Sequence, residues 1–100
     1  MGIRFSHCAA GTRSALTISS LGEHLAHVLP ARDWRKISKY FGGGLPNYAD
    51  IPPHAAGQIG DTLLAAADHR LMPADWGGLA REIGMAAKTA AAAGEAWEWR

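Results

Sequence analysis

The chain has 100 residues, 48% hydrophobic and 19% charged. That is one domain's worth of sequence, with apolar material for a single compact core and none of the composition of a disordered segment. A formal charge of +1 excludes polyanion binding by the molecule as a whole, and one cysteine, Cys8, excludes an internal disulfide framework or a four-cysteine zinc site. No stretch approaches the roughly eighteen apolar residues of a membrane span, and no basic-then-apolar leader opens the chain. The expectation is a cytoplasmic protein with no membrane association.

Residues 3–8, IRFSHC, set Ile3, Phe5 and His7 against Arg4, Ser6 and Cys8, the two-residue period of a half-buried strand. MGIRFS also fits a short myristoylation pattern, but the strand reading accounts for the same residues. ALTI, at 15–18, reads as a further short strand. Ser20 and Glu23 have the spacing of a capping box, so the first helix is expected to begin there, with Leu21, Leu25, Val28 and Leu29 on one face. Pro30 ends it.

LPARDW at 29–34 and MPADW at 72–76 repeat one device. Each reads as a Pro-Ala hinge followed by an aspartate, Asp33 or Asp75, that caps a new helix. Trp34, Ile37 and Phe41 then form one apolar stripe, and Trp76, Leu79, Ala80 and Ile83 another. A tryptophan buries up to about 250 Å², so each is expected to pin its helix against the preceding one. Between the two units, Gly42–Gly44 end the second helix, and Pro52 or Pro53 opens a third over about 52–70 that buries Ala55, Ile59, Leu63 and Ala66. The fourth helix, about 75–93, ends at Gly94. AWEWR closes the chain as a strand, with Trp97 and Trp99 on one face. The expected fold is α+β, mostly α. Two helix-hinge-helix units make a four-helix arrangement, closed by a small sheet of the N- and C-terminal strands, in a single domain over 1–100.

The most asymmetric surface belongs to the second helix. Arg32, Arg35, Lys36 and Lys39 cluster opposite Trp34, Ile37 and Phe41, and Asp33 is the one acid between 31 and 41. A plain solvated face is the simpler reading; the functional one is a contact for an acidic protein or a phosphate backbone. His24 and His27, in HLAH, have a metal-compatible spacing, but the helix phase puts His24 at the boundary of the buried face and His27 nearly opposite that face, in solvent, and the His-Glu-x-x-His order is absent. A site joining His7, Cys8 and His24 needs the first strand to pack on the first helix. Cys8 beside His7 is not a catalytic pair, since strand neighbours face opposite ways, and it is expected to be buried and unreactive. GGGLPN and GQIG lack the remaining residues of nucleotide-binding loops, and no catalytic residue, metal ligand or cofactor is assigned. Trp97 and Trp99 are expected in the core rather than in a ligand groove.

The segments LGEHLAHVLPARDWRKI, IPPHAAGQIGDTL, DWGGLAREI and AGEAWEWR together resemble an uncharacterised family of small Ala-rich domains from high-GC actinobacteria. That resemblance covers nearly the whole chain and implies a bacterial, cytoplasmic accessory protein; it supplies no activity or ligand. The functional expectation is a small non-catalytic protein–protein interaction or accessory module. One alternative is a nucleic-acid-binding domain using the basic face of 31–41; a second is a small metal-binding protein or enzyme around His7, Cys8 and His24. Open edges on the terminal strands also make a homodimer through those strands a candidate assembly.

Overall fold

The computed structural model describes residues 2–8, 12–41 and 49–100. Its elements run β1 (Gly2–Arg4), β2 (Thr12–Ser14), α1 (Ala15–Val28), α2 (Ala31–Phe41), β3 (Ala49–Ile51), α3 (Pro53–Ala67), α4 (Ala74–Ala92) and β4 (Trp97–Trp99). The α+β, mostly helical architecture is therefore as expected, with the helices paired as α1 with α2 and α3 with α4. The glycines at 42–44 lie outside the described residues.

Each terminal strand has an internal partner. β1 pairs antiparallel with β2, placing Ile3 opposite Arg13, and β3 pairs antiparallel with β4, placing Asp50 opposite Glu98. The two small sheets meet where the chain ends meet. An antiparallel bridge joins Phe5 to Trp99, flanked by Arg4 N–H to Arg100 O at 2.8 Å, Arg100 N–H to Arg4 O at 2.8 Å and Ser6 N–H to Glu98 O at 2.7 Å. Across the ribbon the order is β2, β1, β4, β3, so both terminal strands are flanked on either side and the open edges belong to β2 and β3.

The inward residues of this ribbon make an aromatic cluster. Phe5 stacks on Trp97 at 5.6 Å between ring centroids, and Trp97 and Trp99 meet edge-on at 5.5 Å. Trp99 carries the contact to the helices, 5.2 Å from Phe41 and 5.7 Å from Tyr40 of α2. Both C-terminal tryptophans are 0% exposed, so their face is core. The β1 alternation stops early: Ile3 and Phe5 are buried, but His7 turns out at φ 61° and does not share their face.

Helix α1 begins five residues before its expected start. Ser14, not Ser20, is the cap: its Oγ accepts the Thr17 N–H at 3.0 Å. ALTI is the first turn of that helix, and Ser20 and Glu23 lie inside it. The reason is burial, since a helical start at 15 sends Ile18 to the core at 0% exposure together with Leu21 and Leu25. Gly22 sits on the same face because a Cβ there would collide with the Phe41 carbonyl oxygen where α2 crosses.

The hinges break the chain as expected, but the aspartates are not their caps. Pro73 occupies the cap position of α4 with no side-chain bond, and Asp75 lies within the first turn. In α2 the Asp33 and Trp34 N–H groups both donate to the Pro30 carbonyl, placing Asp33 inside the first turn as well. An acid there still complements the positive end of the helix dipole. Half-buried Trp76 reaches beyond the neighbouring hinge to α1, where it lies 4.9 Å from the His24 ring.

α3 and α4 approach closely through small residues, and a Cβ on Gly84 would stand 3.1 Å from that of Leu63. The end of α4 is a two-bond cap. Gly94, at φ 68°, donates to Ala91 O, and Glu95 donates to Ala90 O. Only glycine takes that left-handed turn without strain. The turn reverses the chain and delivers Trp97 to its strand.

Candidate functional site

α2 is sharply two-sided. Ile37 and Phe41 are buried at 0% and 1% exposure, Trp34 is half-buried, and Arg32, Arg35, Lys36 and Lys39 are all exposed on the opposite side. The four cations occupy positions i, i+3, i+4 and i+7, and at about 1.5 Å rise per residue they form a row roughly 10 Å long. The local logic is the amphipathic period: the stripe that seals the core fixes the direction of the residues between.

Asp33 neutralises one end of the row. Its Oδ1 lies 3.4 Å from Lys36 Nζ and 4.0 Å from Arg32 Nε. Lys39 Nζ stands 5.2 Å from the Tyr40 ring centroid, a cation–π distance. The helix as a whole keeps a formal charge of +3, and since the chain carries +1, the remainder carries −2. The sequence-level candidates are therefore brought together on one helix face.

His24 does not join His7 and Cys8 in a metal site among the described residues. His24 lies against Trp76 with the two rings tilted by 31°, whereas His7 belongs to the joint between the chain ends. Its Nδ1 is 2.8 Å from Ser6 Oγ and its Nε2 is 2.9 Å from Glu95 Oε1. Ser6 Oγ also accepts the Glu98 N–H at 2.8 Å, and the Ser6 carbonyl accepts Trp97 Nε1–H at 3.2 Å. This Ser6–His7–Glu95 chain has the connectivity of a relay, but Ser6 is bound on every side to the C-terminal strand, and the geometry reads as a fastening of the two ends. Sequence reasoning missed it because 88 positions separate His7 from Glu95. Among the described residues, no three His, Cys, Asp or Glu side chains converge on a metal position.

Cys8 is half-buried rather than buried, and with His7 it forms one wall of a shallow groove of about 540 Å³ against the outer side of α4, where Arg81, Glu82, Met85 and Thr89 line it. Its charged groups are already engaged: Arg81 with Asp68 at 2.7 Å and Glu82 with Arg13 at 3.0 Å. Met85 is 53% exposed on its floor. Of its polar lining, His7, Arg81, Glu82 and Thr89 all hydrogen-bond to other groups of the protein, whereas binding sites keep a few polar groups for the ligand. Among the described residues no helix is long and apolar enough to cross a membrane.

One protein-family profile, described as Domain of unknown function (DUF7739), matches residues 6–100. No curated protein and no solved structure matches the chain.

Proposed function

The chain belongs to this family of unknown function, and on that premise we propose that it is a non-catalytic interaction module that docks an acidic partner protein through the outer face of α2. The observation that carries this reading is the row of four exposed cations on a helix whose other side is sealed in the core. Solubility asks only that such a face be polar. Four like charges at this spacing cost the helix stability, because Arg32 with Lys36 and Arg35 with Lys39 are like-charge pairs at i, i+4, each unfavourable by about 0.2–0.5 kcal/mol. Asp33 offsets part of that cost. A surface that retains repulsion at the expense of stability is explained by a ligand of opposite sign.

A cytoplasmic location belongs to the same proposal, motivated by the lone thiol of Cys8, as does an origin in high-GC actinobacteria, motivated by residue texture. The deciding experiment is affinity capture from native lysate with the wild type and with R32A/R35A/K36A/K39A. The expected result is a protein retained by the wild type, released by rising salt and absent from the variant. Equal capture by both proteins overturns the reading, and a nuclease-sensitive polynucleotide as the retained species replaces it.

A further inference from the structure

The charge distribution says more about the partner than its sign. We infer that the occupant of the α2 face is a short acidic helix, in which carboxylates recur at the same i, i+3, i+4 and i+7 spacing; this rests on the docking reading above.

Length comes first. The cationic row extends roughly 10 Å, and the rest of the molecule carries −2 against the +3 of α2. Duplex DNA places a phosphate every ~1.7 Å along its axis, so a duplex longer than the row carries most of its phosphates beyond the four cations, on a molecule whose remaining net charge is −2. A ligand whose negative charge ends within about two helical turns sets all of that charge against the row. Trp97 and Trp99, 0% exposed, and Tyr40, held against Trp99, are not free rings on which bases could stack.

Backbone chemistry comes second. An extended segment laid flat on the face takes the N–H and C=O groups of its inner edge out of water, and those groups then require partners. The outer face of α2 has none to give, because the interior backbone groups of a helix are bonded within it. A helical ligand arrives with its own backbone satisfied and offers only side chains, and Arg or Lys facing Glu across two packed helices is how such pairs set orientation. The four cations make two adjoining i, i+4 columns, Arg32 with Lys36 and Arg35 with Lys39, the width of the seam that a single facing helix covers.

The test uses the intact protein and three probes at low ionic strength, where exposed ion pairs are strongest. The first is an Ala/Gln peptide of about 20 residues, long enough to be helical in isolation, with four Glu at i, i+3, i+4 and i+7. The second has the same composition with the Glu residues distributed around all faces, and the third is a DNA duplex of about 12 base pairs. Fluorescence anisotropy is expected to give at least about ten-fold tighter binding to the first probe than to either other, with the preference abolished in R32A/R35A/K36A/K39A. Circular dichroism confirms that this variant, altered only at exposed positions, remains folded. Equal binding of the two peptides, equal or tighter binding of the duplex, an unchanged preference in the variant, or no binding of any probe overturns the acidic-helix inference. The docking reading falls separately, when lysate capture is unaffected by the same four substitutions.

Discussion

Alanine in place of glycine has opposite predicted effects at two helical positions of this protein, and the difference isolates packing from propensity. In a helix interior, Gly→Ala gains up to about 1 kcal/mol of helix stability. At Gly78, on the exposed side of α4, a new Cβ meets nothing within 4 Å, so the gain stands and G78A is expected to be stabilised by about 0.5–1 kcal/mol. At Gly22 the same methyl is driven into the Phe41 carbonyl oxygen and stands 3.4 Å from Phe41 Cβ. Backbone atoms yield less than a flexible side chain, so α1 and α2 must separate. Overpacking of this kind costs about 1–3 kcal/mol or more, which exceeds the propensity gain. G22A is therefore expected to be destabilised by about 1–2 kcal/mol net, or roughly 4–16 °C in Tm at about 4–8 °C per kcal/mol. Urea and thermal unfolding followed by circular dichroism read both variants. Stabilisation of G22A to the same degree as G78A would refute the α1–α2 crossing.

The cap assignment separates two serines: S14A is expected to lose about 0.5–2 kcal/mol, whereas S20A, inside α1, stays within about 0.5 kcal/mol of wild type, both measured by urea denaturation. The buried tryptophans differ in their N–H groups, since Trp97 Nε1 donates to Ser6 O while Trp99 Nε1 has no partner among the described residues. W97F surrenders a hydrogen bond and W99F removes a buried orphan donor, so W97F is expected to be the less stable of the two by about 1 kcal/mol or more; equal losses contradict the hydrogen-bond assignment. At the cationic face, R35E/K39E is expected to leave unfolding stability within about 0.5 kcal/mol while abolishing partner capture. A matching loss of fold would show that the two side chains are structural.

What the sequence made legible was periodicity and punctuation. Pro30 and Pro73 ended one helix and began the next, and the 3.6-residue stripes of Leu21, Leu25, Ile37, Phe41, Ile59, Leu63 and Ile83 identified the buried faces. The two-residue alternation of Trp97 and Trp99 likewise placed the last strand. The cationic row was legible for the same reason, being the complement of a stripe. β2 and β3 escaped notice because three residues are too few to display a period, and both exist as partners for the terminal strands. ALTI misled because an apolar, β-branched run of four suits either a strand or the first turn of a helix. The choice falls to Ser14 and to the burial of Ile18. Asp33 and Asp75 misled in the opposite sense: aspartate after a proline hinge is a frequent cap, but here proline itself takes the cap position in α4 and the acid moves into the first turn. The contact of Trp76 with His24 and the fastening of His7 to Glu95 join residues far apart in sequence, and nothing local encodes either.

Whether the proposed partner docks on α2 is read residue by residue by amide chemical-shift mapping of the isotopically labelled protein during titration with the four-Glu helical peptide. Perturbations are expected to concentrate at residues 32–39, with the amides of His7, Cys8 and residues 81–89 unmoved. Shifts confined to that groove while α2 stays silent would contradict docking on α2.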